Sequence, residues 1–505
     1  MHHLEQELDR NQFTSIALEQ LVAKDSWVRV VDLFVDALPM KELGFEHIEH
    51  ETQGRPPYHP TVLLKLYMYG YRHGIRSASK LYHACMVNVE LWWLLKGLKP
   101  SERTILYFRK NNSKAFKKAF QHLVLIQKEW GLIDGETIAI DSFKIRAQNS
   151  SKNNFNQKKI DLHKDYIEGK INEYLEALET EDSVEKRVII ESKIAHQKKN
   201  KIKFNALEKE LIDSGESQIS KTDPDARKVI LHKNIINVGY NIQAGCDSKY
   251  KLFINAQTGS VNDVYALSPM AIEAKELLGL EQMNVLADKG YTTGKEINTC
   301  TKHNITTFSC PKEHSSQKNG LYNMETFVYD AEKDTYTCPV GETLNTNGSI
   351  YKKKSHRVKH YKTKKCKGCE AREFCTENKN GRTIERGIYQ EDLEQNEKRV
   401  NQNPNYYRER QQITEHQFGT LKRQWGFTYT LMKGKENVLS EVHLCFSVYN
   451  LLRMVQLFGI DELKKRLKSL TLFFWSYIAT FKTQYETLFF QLPNSCLILT
   501  TLRTT

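Results

Sequence analysis

Two short stretches decide how the chain is read: Thr137-Ile138-Ala139-Ile140-Asp141 and Met283-Asn284-Val285-Leu286-Ala287-Asp288-Lys289-Gly290-Tyr291. Each is a short apolar run of the kind that forms a buried strand. Each ends on an aspartate. In an open α/β sheet, ligands and chemistry collect outside the carboxyl ends of the strands. Two further strand-like regions cover residues 237–242 and 250–261.

Upstream of the first strand the texture is helical. Trp27, Val30, Val31, Phe34, Val35 and Leu38 follow helical spacing, and Pro39 stops the run. After the Pro-rich break Arg55-Pro56-Pro57-Tyr58-His59-Pro60, the pattern predicts short helices over 61–73, 78–86 and 89–95, then one long helix over 103–130. Short helices with tight turns are the material of helix-turn-helix DNA binders, and equally of any small bundle.

Two insertions separate the strand regions. In 151–222, Ile167, Ile171, Tyr174, Leu175 and Leu178 form one stripe, and Val184, Val188, Ile189, Phe204, Leu207 and Leu211 a second. That predicts an αα-hairpin. Its 14 Lys/Arg balance 14 Asp/Glu, so it reads as a solvated arm. The second insertion, 301–400, holds Cys338, Cys366, Cys369 and Cys375, and its stretch 352–367 carries nine Lys/Arg and no acid. Such a run suits a DNA backbone, because cations that neutralise phosphates release counterions. Helical pattern returns after 401, and residues 461–505 form a tail of unassigned role.

The chain has 505 residues, too many for one core, so several domains are expected. Its balance of 74 Lys/Arg against 61 Asp/Glu leaves +13, which favours a polyanionic partner, nucleic acid before membrane. The opening residues lack the apolar core of a signal peptide, and the apolar stretch 470–481 is too short to span a bilayer. No membrane is therefore expected, and the location reads as cytoplasmic and nucleoid-associated. The ten cysteines then read as thiols or metal ligands rather than a disulfide framework.

Asp141, Asp288 and a helical Glu415 are what a two-metal phosphodiester site needs. Carboxylates are hard oxygen ligands suited to Mg²⁺ or Mn²⁺. Two such ions, roughly 3.5–4 Å apart, stabilise both oxygens of an in-line displacement. Asp263 is a competing carboxylate, ranked below Asp288 because it lacks the Asp-Lys-Gly-Tyr context. Cys366-x₂-Cys369, Cys375 and Cys338 could hold a structural Zn²⁺, with His356 and His360 as spare ligands. Trp92-Trp93 reads as helical core, while Asp134, Glu136 and Glu441 read as turn or surface groups.

The run around Glu415 carries a family resemblance. Tyr407-Arg408-Glu409-Arg410-Gln411-Gln412-Ile413-Thr414-Glu415-His416-Gln417-Phe418-Gly419-Thr420-Leu421-Lys422-Arg423 resembles the tyrosine–arginine–glutamate–lysine signature of bacterial insertion-sequence DDE transposases. It looks most like the insertion sequence 1182 family. Glu415 to Lys422 keeps the family spacing, Arg410 to Glu415 is one residue longer, and Gln417 stands where proline is usual. Pro57-Tyr58-His59-Pro60, Tyr69-Gly70-Tyr71, Gly74-Ile75-Arg76-Ser77, Asn88-Val89-Glu90-Leu91-Trp92-Trp93 and Phe108-Arg109 are similar to the family's N-terminal domain. Ile140-Asp141-Ser142, Thr222-Asp223-Pro224-Asp225 and Asp288-Lys289-Gly290-Tyr291 resemble its aspartate motifs and the element between them.

The resemblance implies an α/β fold: a ribonuclease-H-like catalytic core interrupted by insertions, with an N-terminal all-helical DNA-binding domain. The domains would be 1–130 for the helical region, 131–150 with 223–300 and 401–460 for the split core, and 151–222 and 301–400 for the insertions. Asp141, Asp288 and Glu415 would be catalytic and hold two Mg²⁺ or Mn²⁺ ions. Lys422, Arg410, Tyr407, Arg423 and Arg109 would contact DNA. The activity implied is cleavage at terminal inverted repeats and joining of the freed 3′-hydroxyl to target DNA, by a homodimer. The alternatives are an inactive DNA-binding remnant and a general metal-dependent nuclease on the same fold.

Overall fold

The computed structural model describes residues 15–49, 56–232, 235–259, 261–310, 321–353 and 356–470. The chain forms two compact units, Met1–Phe120 with Ser440–Thr505, and Gln121–Leu439.

The first unit is helical among its described residues. Val28–Asp36, Pro60–Arg72, Ala78–Val87, Val89–Leu94 and Glu102–Asn111 are helices. Their starts are written into the sequence. Ser77, Asn88 and Ser101 each accept from a backbone N–H two or three residues into the helix that follows, and Pro60 sits where its missing N–H costs nothing. Leu66, Tyr67, Tyr71, Leu81 and Phe116 fill the core. At Gly70 a Cβ would come within 2.3 Å of the Ile75 carbonyl oxygen, so only glycine fits there.

Three expectations are corrected in this unit. The long helix predicted over 103–130 is two helices, Glu102–Asn111 and Ser113–Glu129. Asn112 breaks it: its Oδ1 accepts from Glu46 N and its Nδ2 donates to the Phe108 carbonyl, both at 2.9 Å. Residues from Ser440 onward group with these helices rather than with the strands. Glu441, expected at the surface, is fully buried, with Oε2 3.5 Å from Arg76 Nη1. The helix Lys435–Phe458 is long and apolar enough to cross a membrane by composition, but most of its apolar window is buried inside the protein, as in a core helix. The expected tail falls beyond residue 470 outside the described residues; 460–470 are helical.

The second unit is built on a mixed sheet of six described strands. In chain order they are β1 Thr137–Arg146, β2 Arg227–His232, β3 Ile235–Asp247, β4 Phe253–Thr258, β5 Met283–Ala287 and β6 Ile305–Ser309. β1 is central, antiparallel to β3 and parallel to β5. Beyond β3 lie β2 and β4, both antiparallel to it, and beyond β5 lies parallel β6. Ile138, Ala139, Ile140, Val285, Leu286 and Ala287 are wholly buried, as strands covered on both faces require. The helices Leu267–Leu278 and Pro404–Gly419 both pack against this sheet. The core sheet thus extends to Ser309, past the boundary expected at 300, because Ile305 and Phe308 continue its apolar layer.

The first insertion is the predicted hairpin, Gln157–Thr180 against Val184–Ser214. Its base is packed by Phe155, Ile160, Leu207, Leu211 and Ile219, and Ile167 and Ile194 are buried farther along. Val184, Val188 and Ile189 of the second stripe, near the turn, are exposed; Lys164–Glu208 and Lys201–Glu168 join the helices nearer the base, and at the turn Arg187 Nη1 donates to the Leu178 and Glu181 carbonyls. The second insertion holds its own antiparallel sheet, from Val328–Asp330 through Ile384–Gly387, around Phe327, Tyr336, Leu344, Tyr361 and Ile384. Asp334 ties this sheet together. It accepts from Lys359 Nζ, Tyr361 Oη and Tyr329 Oη, and the Lys359 bond leads in holding its carboxyl down to about 2.

Candidate active site

Asp141 lies within β1, beside the register pair Ile140–Ala287 that joins β1 to β5. Asp288 is the residue immediately after β5. Parallel pairing of the two strands therefore sets the two aspartates side by side, where β5 ends and β1 runs on to Arg146 past the strand end expected at Asp141. The helix Pro404–Gly419 brings Arg410 between them. Arg410 Nη1 is 3.4 Å from Asp141 Oδ2 and Nη2 is 3.8 Å from Asp288 Oδ1. One guanidinium thus spans both carboxylates.

Each aspartate is also held by its own backbone. Asp141 Oδ1 accepts from Ser142 N at 2.7 Å, and Asp288 Oδ1 accepts from Lys289 N at 2.8 Å. Asp141 Oδ2 additionally accepts from Thr414 Oγ1 at 3.1 Å. Burial raises the Asp141 carboxyl above its ordinary range, against the lowering effect of the Ser142 N–H, Arg410 and Thr414. A half-buried carboxylate with an aspartate neighbour has a standing demand for positive charge, which Arg410 supplies here.

The structure does not bring Glu415 into this group. Arg410 and Thr414 are one helical turn apart and share the face turned to the sheet. Glu415 is the next residue round the helix and is exposed. No hydrogen bond or ion pair joins it to Asp141 or Asp288. Among the described residues no group of three or more His, Cys, Asp or Glu is arranged to hold a metal ion. Thr414 is the site residue that sequence reading missed. Its only signal was the four-residue step from Arg410, legible once Arg410 is known to face the sheet.

The other expected DNA contacts divide. Tyr407 is half-buried with the Arg410 guanidinium 6.0 Å from its ring centre. Lys422 and Arg423 lie in a π-helical turn, Thr420–Gln424, that continues the same helix; such turns recur at functional sites. Lys422 Nζ sits 5.6 Å from the Phe143 ring, and burial, then Lys144, lowers its ammonium below the usual range. Arg423 is exposed. Arg109 is corrected: it belongs to the helical unit, is 3% exposed, and donates from Nη1 to the Arg76 carbonyl at 2.9 Å. So buried a guanidinium presents little surface to a phosphate.

The four cysteines of the second insertion are half-buried thiols. Cys338 and Cys375 pack on the same small core. The Arg372 N–H donates to the Cys369 carbonyl and the Arg372 carbonyl accepts from Cys375 N. The thiol of Cys375 is pushed up mainly by burial, and the charges of Cys366, Cys338 and Cys369 add to it.

Comparison with known proteins places two stretches of this chain. Residues 337–455 match the family described as a transposase DDE domain, and residues 16–111 match a transposase domain (DUF772). The first match contains Arg410, Thr414, Glu415 and Lys422, while Asp141 and Asp288 lie outside both. No curated protein matches the chain. Among solved structures, a piggyBac transposase synaptic complex with hairpin DNA aligns over 88% of this chain and 78% of its own, at 11% identity and a TM-score of 0.33, a similarity too low to carry structural conclusions.

Proposed function

We propose that this protein is a DDE transposase that cleaves DNA at the ends of its insertion sequence and joins the 3′-hydroxyl ends to target DNA. The observation that carries the reading is the meeting of Asp141 and Asp288 around Arg410, at the carboxyl end of β5. The strand order, with central β1 antiparallel to β3 and parallel to β5, is the arrangement a ribonuclease-H-like core calls for. Two transposase domain matches support the activity class.

Asp141 and Asp288 would hold a divalent cation, Mg²⁺ or Mn²⁺, and their hard oxygens and charge suit one. Glu415 is the proposed third ligand, one residue beyond Thr414 on the same helix. Bound there, a pair of such ions would neutralise charge at the scissile phosphate and activate the attacking water. Thr414 and the Ser142 N–H hold the Asp141 oxygens. Arg410, relieved of the carboxylates by a cation, would pair with a phosphate, as would Lys422 and Arg423; such contacts position a strand without reading its sequence. Two element ends must be brought together, so the active form would be at least a homodimer on DNA.

One observation favours a second reading. Glu415 is exposed and joined to neither aspartate, which fits a DNA-binding remnant that no longer cuts. Incubation with the gene's flanking inverted repeats in Mg²⁺ separates the two: the transposase creates new 3′-hydroxyl ends at the repeat boundary, and the remnant gives salt-sensitive binding without cleavage. Glu415→Gln is expected to remove cleavage; a fully active variant would take Glu415 out of the site.

The four cysteines are not arranged to hold a metal ion as they stand; we propose separately that Zn²⁺ would draw them together as a structural site, since so small a core benefits from a metal staple. Metal analysis of the purified chain is expected to find about one zinc per molecule, lost in Cys366→Ser. A metal-free, folded protein would leave them as plain thiols.

A further inference from the structure

Asp288 opens a short turn, Lys289–Tyr291, and its side chain is half exposed, so something else must fix where its carboxylate points. The turn itself is anchored. Tyr291 N donates to the Asp288 carbonyl at 3.0 Å, and the Tyr291 side chain, 1% exposed, drives into the sheet. There its hydroxyl donates to Gln243 Oε1. The other end of that amide, Nε2, donates to Asp263 Oδ1 at 2.7 Å, and Asn241 Nδ2 donates to the same oxygen at 2.7 Å.

The direction of this chain of bonds is fixed by chemistry. A side-chain amide can donate at one end and accept at the other. An ionised carboxylate only accepts, so Asp263 holds Nε2 toward itself and turns Oε1 toward the tyrosine. Gln243 and Asn241 are buried at 3% and 2%, so these groups are satisfied together or left costly. The same set reaches the first aspartate. Ser142, next to Asp141, is the register partner of Gln243 across β1 and β3. Gly290 rests on Asp263: a Cβ there would lie 3.5 Å from Asp263 Oδ2.

We propose that Asp263, acting through Gln243 and Tyr291, is a positioning residue that fixes the turn carrying Asp288 so that both aspartates can grip a divalent cation. The proposal rests on the metal-binding reading above. It assigns Asp263 a role other than ligand, since its Oδ1 is committed to the amides of Asn241 and Gln243. Groups that orient metal ligands typically govern metal affinity by about 10–100-fold when removed.

The test is Mn²⁺ binding to the full chain, measured by calorimetry without DNA, for the wild type, Tyr291→Phe, Asp263→Ala, Asp263→Asn and Asp288→Ala. Tyr291→Phe removes a single oxygen and is expected to weaken Mn²⁺ binding about ten-fold or more, in a chain that still folds but melts somewhat lower because Gln243 Oε1 loses its donor. Asp263→Ala should do the same. Asp263→Asn keeps a carbonyl oxygen for both amide donors and should stay close to the wild type. A folded Tyr291→Phe that binds Mn²⁺ as tightly as the wild type overturns the clamp. Equal binding by Asp288→Ala and the wild type overturns it at its premise, by removing Asp288 from the metal site. That result is distinguishable from failure of the transposase reading, which the cleavage assay decides independently. If Asp263→Ala does not fold, Tyr291→Phe alone decides.

Discussion

Asp141→Ala and Asp288→Ala are each expected to reduce divalent-ion-dependent cleavage by about 10³-fold or more, while DNA retardation at fixed salt stays within about two-fold of the wild type. The size follows from what the carboxylates do: removing one fixed charge-stabilising group from a reacting centre costs about 10²–10³ in rate, and here the loss includes a ligand of the reacting cation. The near-constant binding follows because the aspartates are anions and add nothing favourable to a phosphate contact. Asp141→Ala also strips Arg410 Nη1 and Thr414 Oγ1 of their shared acceptor. Asp288→Ala is therefore the cleaner variant, since Asp288 is half exposed and its loss disturbs less packing. Cleavage unaffected by either substitution would remove that residue from the site.

The second large effect is on stability. Glu441 is fully buried and Arg76 is 4% exposed, with 3.5 Å between Nη1 and Oε2. Glu441→Ala leaves the guanidinium in the interior without its countercharge, a change that costs about 3–5 kcal/mol in comparable buried pairs. The Arg76 carbonyl also accepts from buried Arg109, so the loss reaches a second cation in the same unit. Chemical denaturation should place the midpoint of the helical unit well below that of the wild type. Replacing Arg76 and Glu441 together by apolar residues of similar volume should recover much of the loss. A Glu441→Ala penalty under about 1 kcal/mol would mean the pair is better hydrated than its burial indicates.

Much of the fold is legible because its central strands open on apolar runs; β5 stops at the site, whereas β1 runs on through Asp141 to Arg146. β1 and β5 are read directly from Ile138-Ala139-Ile140-Asp141 and Val285-Leu286-Ala287-Asp288, and the charged hairpin from its stripes. What escaped depends on tertiary partners. The break at Asn112 needs Glu46 to hold the asparagine, a contact between residues 66 positions apart. The burial of Glu441 needs Arg76, still farther away. β6 reads as an insertion until Ile305 is seen paired with Met283. Within the site, the signature names the helix and the arginine that meet the aspartates, but which of Thr414 and Glu415 faces the sheet is a matter of about 100° of rotation, which spacing to a distant strand does not encode. Asp263 had been visible as a spare carboxylate. Its amide partners Asn241 and Gln243 are on β3, so its role is readable only from the folded sheet.

The most direct test of the central claim uses DNA carrying the gene's own flanking repeats, with wild-type protein and Asp288→Ala side by side in Mg²⁺, and maps every new 3′ end. A cut at the repeat boundary made by the wild type and absent from the variant is the predicted result. Salt-sensitive binding with no new 3′ end in either Mg²⁺ or Mn²⁺ would contradict it, and would leave a DNA-binding protein in which Arg410 permanently occupies the place between Asp141 and Asp288.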